Sequence, residues 1–294
     1  MTENSAPNWL RRIAATPTLT WVMLMLGSAV IAGLLMESTW VNGAPWWKWQ
    51  YRPDPDKVDL FSLIVATLPA MLLCLAMVSE RAKGVRPLLR LAGLLAASAA
   101  FVYVPVAFDV GGLDRVRAII LSPGVTSYFT DAARIDDLHS FLSTFHKQSL
   151  HLHSSSHPPG PIVWFYGFIK LHHHDLNVAA RRAGLALTML APFGSIVMYY
   201  FASLWTDSVH ERVVASAIFA LLPSLCFFSP GFDQLYPSFA MALIYFFVQA
   251  VRQASLRHAV CLGLALTLAC SFAYNLLALG AFHVLYAAAY LFKA

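Results

Sequence analysis

Apolar residues run in long blocks along this chain, broken by short polar stretches, and block length is the first signal. A helix crossing a bilayer needs about 20 mostly apolar residues. Eight blocks approach that length: 18–36, 60–78, 87–107, 184–205, 213–228, 237–251, 259–277 and 280–292. The pattern predicts an all-α polytopic membrane bundle of about eight spans with one long outer loop. The first block follows Arg11 and Arg12, as a signal peptide would. It exceeds a signal h-region, holds Trp21 and lacks an A-x-A cleavage site, so it reads as a retained anchor. The division expected is an N-terminal pair of spans over 1–87 and a core over 88–294.

Charge fixes the sidedness. The short run Glu80-Arg81-Ala82-Lys83-Gly84-Val85-Arg86, with Arg90 just beyond, is the strongest basic loop in the chain and marks the cytoplasmic side. The N-terminus is then inside, and 37–59 and 108–182 are outside. Arg252 and Arg257 fall in a cytoplasmic loop, whereas Arg181 and Arg182 fall outside, against the rule. Trp40, Trp46, Trp47, Trp49 and Tyr51 in the first outer loop read as an aromatic belt at headgroup depth.

Composition agrees with a lipid-solvated chain. Of 294 residues, 59% are apolar and only 12% charged, against about 25% charged in a soluble domain. The four cysteines, Cys74, Cys226, Cys261 and Cys270, lie in apolar runs with no CxxC pair and read as small buried hydrophobes. A net charge of +5 without a basic domain excludes nucleic acid as a partner.

The outer loop 108–182 carries most of the chemistry. Eight of the eleven histidines lie there, with Asp109, Asp114, Asp131, Asp136, Asp137 and Asp175. Ile135, Leu138, Phe141, Leu142 and Phe145 recur at helical spacing, and Asp131, four residues before Ile135, extends that stripe. A carboxylate on the apolar side of such a helix is either paired and working or an N-terminal cap, and the spacing leaves both open. His157-Pro158-Pro159-Gly160-Pro161 predicts a stiff approach to a short, non-spanning apolar helix over 162–171. His151, His153 and His157 with Asp131 have ligand types for zinc but no zinc-helix spacing, and neither metal nor cofactor is called for. His172-His173-His174 reads as a solvated turn.

Several activities lack their signatures. His210-Glu211-Arg212-Val213-Val214 misses the second histidine of a zinc protease, and there is no G-x-S-x-G, P-loop or dinucleotide glycine pattern. Asp136-Asp137-Leu138-His139-Ser140 is not a DDxxD diphosphate site. Mid-membrane charge is sparse, against an ion-coupled transporter, although Asn275 and His283 lie near the last two spans.

Four segments in order carry a resemblance: Tyr128-Phe129-Thr130-Asp131-Ala132-Ala133-Arg134; His157-Pro158-Pro159-Gly160; Ala179-Ala180-Arg181-Arg182-Ala183-Gly184; and Ser229-Pro230-Gly231-Phe232-Asp233-Gln234-Leu235-Tyr236-Pro237. Over about 88–294 the chain resembles the GT-C class of membrane glycosyltransferases, such as the protein O-mannosyltransferases and aminoarabinose transferases. The resemblance implies a polyprenyl-phosphate-linked sugar as donor, an acceptor it does not name, and a bacterial inner-membrane enzyme working on the extracytoplasmic face. It implies Asp131 as the catalytic carboxylate. An anionic leaving group needs cations and donors, for which Arg134, Lys147, Arg181, Arg182 and His157 are candidates, while Asp233 and Tyr236 would line the pocket. The chain departs from the family in having Asp131-Ala132 where an Asp-Glu pair is usual and Gly160 where leucine commonly follows His-Pro-Pro. These departures keep open a non-catalytic membrane subunit or lipid-handling protein on the same fold.

Overall fold

The computed structural model describes residues 60–108, 111–124, 127–222, 224–227 and 229–292. The expected first span, the aromatic loop 37–59 and Asp109 lie outside the described residues. Within them the chain is helical, with no strand. The helices are α1 (Leu60–Val78), α2 (Pro87–Phe108), α3 (Leu113–Leu121), α4 (Tyr128–Ala132), α5 (Leu138–Ser143), α6 (Leu152–Ser155) and α7 (Gly160–Leu171). They continue as α8 (Leu176–Leu190), α9 (Gly194–Ala202), α10 (Val209–Ala220), α11 (Ser224–Phe227), α12 (Tyr236–Gln253), α13 (Leu256–Phe272) and α14 (Leu279–Leu291).

Four stretches are long and apolar enough to cross a membrane: Pro87–Phe108, Leu176–Ala202, Phe232–Gln253 and Tyr274–Leu291. Val65–Val78 and Leu256–Phe272 are shorter apolar helices. The fourth expected span begins earlier than the apolar pattern implied. Asp175 caps it by accepting the Asn177 and Val178 amides at 3.1 Å each, so the helix starts in a polar turn that hydropathy alone excludes. The expected span over 213–228 is not one helix. It stops at Ala220, and a separate short helix follows at Ser224–Phe227.

Three apolar clusters hold the described residues together. The largest joins α4, α7 and α8 through Phe129, Phe165, Ile162, Ile169, Ala183 and Leu187. On α7, Ile162, Phe165 and Ile169 recur at helical spacing and are at most 2% exposed. Burying each contributes about 1.5–3 kcal/mol. The second cluster packs α1 and α2 on α10 through Cys74, Leu91, Leu94, Val213 and Ala217. The third joins α12 and α13 through Leu243 and Ala269. By contrast α14 exposes Val284, Leu285 and Leu291, which suits a lipid-facing helix and not a water-facing one.

Gly160 has a local explanation. It opens α7 where that helix meets α13, and a Cβ there would overlap the Ser271 carbonyl. Leucine at this position could not pack so closely. The stiff His-Pro-Pro segment thus ends at a helix-to-helix contact, with Pro161 in the first turn, where its missing N–H has no intrahelical partner to lose.

Candidate functional site

The helix expected in the 108–182 segment does not run through Asp131 as its spacing implied. Asp131 sits in the separate single turn α4, whose ladder is broken by the turn at Ala133 and Arg134. The next helix, α5, has Asp137 as its cap, the side chain accepting the Ser140 amide at 2.6 Å. Asp131 is therefore no N-cap, and Asp137 takes that role. Of the predicted stripe, Ile135 and Phe141 are buried while Leu142 is 42% exposed.

Asp131 is buried, its side chain only 1% exposed. Its Oδ1 lies 2.7 Å from the Nδ1 of His151, and its Oδ2 accepts the His151 backbone N–H at 3.2 Å. An ionised carboxylate only accepts, so Nδ1 carries the proton of this hydrogen bond. In the neutral ring the lone pair then belongs to Nε2, the nitrogen of a basic imidazole. The His151 side chain is 39% exposed. Arg134 reaches to 3.7 Å of Oδ1 from a side chain 64% exposed. A buried charge costs several kcal/mol unless paired. The short imidazole bond and the amide offset most of that here, because a long contact from an exposed arginine contributes about 0–1 kcal/mol.

A polar cleft of about 280 Å³ is lined by Asp131, Arg134, Asp136, Ser140, Gln148 and Ser149 among others, and extends to Leu150, the residue before His151. Lys147 is exposed at the end of the 3-10 turn Phe145–Lys147, one residue before the lining residue Gln148.

Tyr128, one turn before Asp131 on α4, carries a second cluster. Tyr128 is buried, with its ring 5.1 Å from the His153 ring, 5.6 Å from His157 and 6.0 Å from Phe232. The His157 Nδ1 is 3.0 Å from the His153 carbonyl, to which it donates. Burial pushes the Tyr128 hydroxyl well above the usual tyrosine range, and the charge of Asp233 adds to it. Partial burial and His157 hold His153 below the usual imidazole value, with Asp233 opposing. Asp233 is exposed in the 3-10 turn Phe232–Gln234, and Tyr236 opens α12 beside it. Ser127 and Ser154, both buried, join the ends of α4 and α6 by a 2.9 Å hydroxyl bond.

The candidates therefore divide. Asp131 and Arg134 meet at the cleft, and His157, Asp233 and Tyr236 share the electrostatic surroundings of Tyr128. Arg181 lies instead 3.9 Å from Asp114, joining α8 to α3, and Arg182 is exposed on α8. Among the described residues Arg134 is the one candidate cation within ion-pair distance of Asp131. The histidines weighed as zinc ligands do not converge: no three His, Cys, Asp or Glu side chains among the described residues form a metal-sized group. His172-His173-His174 is a turn, with left-handed backbone at His173 and His174.

Sequence reasoning grouped Asp131 with His151, His153 and His157 as possible zinc ligands, but missed the direct Asp131–His151 hydrogen bond and the place of Tyr128 at the centre of the second cluster. One signal was present. The two histidines at 151 and 153 flank Leu152 shortly before the proline segment, and both reach α4.

No family model, no curated protein and no solved structure matches the chain.

Proposed function

We propose that this protein is a membrane glycosyltransferase that moves a sugar from a polyprenyl-phosphate donor to an acceptor at the extracytoplasmic face. One observation carries the reading: a buried carboxylate that lines a polar cleft orients a half-exposed imidazole, in a segment set between apolar helices. In the proposed step an acceptor oxygen attacks the anomeric carbon, the bond from that carbon to the phosphate oxygen breaks, and polyprenyl phosphate leaves with the electron pair. His151 Nε2 takes the acceptor proton. Asp131 is a positioning residue that holds the ring in the tautomer with Nε2 free, a role the resemblance gave to the carboxylate directly. Arg134 faces the charge that builds on the phosphate. Ser140, Gln148 and Asp136 in the cleft suit sugar hydroxyls, which need both donors and acceptors.

The test measures transfer from a polyprenyl-phosphate sugar in the purified, folded protein. His151→Ala is expected to lower turnover by about 10²–10⁴-fold, the usual contribution of a general base. Asp131→Asn is expected to reduce turnover with a shifted pH profile, because an amide can present an N–H to the ring and reverse its tautomer. Wild-type turnover in the His151 variant would overturn the assignment.

A second reading has its own observation. The Asp131 carboxylate is almost wholly enclosed and has its partners, as a purely structural lock would. In that case the chain is a non-catalytic membrane subunit or lipid-handling protein. Asp131→Asn would then lower thermal stability, and no sugar transfer would be found in the wild type.

A further inference from the structure

A second cleft, of about 430 Å³, lies where the start of α2 meets the start of α10. Lys83, Arg90, His210 and Ser208 line it, with Glu80 and Glu211. Neither the resemblance nor the proposed reaction uses it. Arg90 is only 1% exposed, yet it stands in the first turn of a helix able to cross a membrane. Its Nε donates to the Met77 carbonyl at 2.8 Å, and an Nη2 N–H donates to His210 Nδ1 at 3.3 Å. These two bonds use two of the five N–H groups of a guanidinium. Arginine only donates, so His210 accepts at Nδ1 and carries its proton on Nε2. That nitrogen lies 3.8 Å from Glu80 Oε1.

The two acids in the cleft are already engaged. Glu211 accepts the Thr206 hydroxyl. Glu80 lies 2.5 Å from Lys83 Nζ, and its side chain is 67% exposed on the 3-10 turn Glu80–Gly84. Glu80 is thus an exposed carboxylate resting on the same two donors, Lys83 and His210, that an outside anion would take. The start of α10 faces the cleft with its positive end, through Val209 and His210. Beside Arg90, Leu88 is 77% and Leu89 60% exposed, an apolar surface next to the charged one.

We infer that this cleft binds the phosphate group of an anionic membrane lipid, held by Lys83, Arg90 and His210, with Glu80 as an internal carboxylate that the lipid displaces. The shared chemistry is a phosphoryl anion. The apolar surface that Leu88 and Leu89 expose on the same helix turn as Arg90 favours a lipid over free phosphate as its source, since an acyl chain gains apolar contact there. The inference does not depend on sugar transfer.

The experiment uses the full chain in phosphatidylcholine nanodiscs doped with phosphatidylglycerol, with bound lipid counted by native mass spectrometry. Wild type is expected to retain phosphatidylglycerol selectively. Lys83→Ala and His210→Ala are each expected to weaken that retention by about tenfold or more, scaled to the usual contribution of one charge-assisted bond. Arg90→Lys, which keeps the charge, serves in place of a deletion that could unfold the α1–α2 pair. Glu80→Gln is expected to tighten binding, because the competing carboxylate is gone, whereas a merely structural role for Glu80 would loosen it or leave it unchanged. Equal lipid retention in all variants, or weakened or unchanged retention in Glu80→Gln, overturns the proposal. So does binding of inorganic phosphate without any preference for phosphatidylglycerol.

Discussion

Two buried ions, one of each sign, are handled by the same device at two places on the bundle. Asp131 and Arg90 are both almost fully enclosed, and each is held by one backbone group and one histidine. Arg90 lies 18 positions before Phe108, about 27 Å along α2 from where the Asp131 segment leaves it. The histidines answer in opposite ways. The carboxylate takes the Nδ1 proton of His151 and leaves a lone pair on Nε2, which makes a base. The guanidinium donates to Nδ1 of His210 and leaves a proton on Nε2, which makes a donor. The same side-chain type presents a lone pair at Nε2 in one cluster and an N–H at Nε2 in the other, and the sign of the buried neighbour decides which. The supports also differ. Asp131 and His151 sit on single turns of an inserted segment, whereas Arg90 and His210 sit on helices packed through the α1–α2–α10 cluster.

The sharpest break in that comparison is removal of the anion. Asp131→Ala deletes two hydrogen bonds to a charged group, each contributing about 1.5–3 kcal/mol, and is expected to destabilise by about 3–6 kcal/mol. Denaturation in detergent reads the total, and hydrogen exchange should localise the loss to residues 148–157. Unchanged protection in that stretch would mean that the carboxylate does not organise it.

Much of this was legible before any coordinates. The bounds of the second apolar block match α1, the proline segment ends where α7 begins, and Asp131 stood out because an acid in an apolar stripe needs a reason. The partners were not legible. His151 is 20 residues from Asp131, beyond the turn at Ala133 and Arg134 and the helix that follows, and helical periodicity carries no register across such breaks. His210 is 120 residues from Arg90, on a helix that reaches it only through α2 packing. Arg90 read as one more charge in a basic loop, because composition does not distinguish a solvated arginine from an enclosed one. The block over 213–228 failed for a different reason. Hydropathy sums over a break in the helix, and at Leu221 and Leu222 the apolar character continues although the helix does not.

Removal of the cation should cost less. Arg90→Met loses its two bonds, but Met fills much of the same space while removing an enclosed charge, whereas Asp131→Ala leaves a void, and volume-matched replacements recover part of their cost. A loss of about 1–3 kcal/mol is expected, read as a lower melting temperature in detergent. A loss as large as that of Asp131→Ala would show that the helix-borne cluster is no better buttressed than the inserted one.

Acidification sharpens the difference without a substitution. Burial, Lys83 and Arg90 hold His210 below the ordinary value of 6.5, with Glu80 and Glu211 opposing. A histidine lowered in the folded state binds a proton more readily when unfolded. Its contribution to stability is therefore complete above about pH 6.5 and falls as the pH drops through the window down to the lowered folded value. His153, lowered for similar reasons, gives a slope of the same sign. Melting temperatures from pH 7.5 to about pH 5 should decline in the wild type, and the decline should flatten in His210→Asn and flatten further with His153→Asn added. A profile unchanged by both substitutions would assign the acid sensitivity elsewhere.

The smallest effect belongs to a charge pair with neither burial nor a histidine. Arg181 and Asp114 stand 3.9 Å apart, with side chains 51% and 66% exposed. Water screens both charges, and holding two side chains together costs rotamer freedom, so a double-mutant cycle over Arg181→Ala and Asp114→Ala should give a coupling below about 1 kcal/mol. High salt should erase it, since the pair is open to counterions, while leaving the Asp131–His151 contact in place. A coupling of several kcal/mol here would mean that the α3–α8 junction is enclosed by something further, and that burial alone does not separate the strong ionic contacts of this molecule from the weak ones.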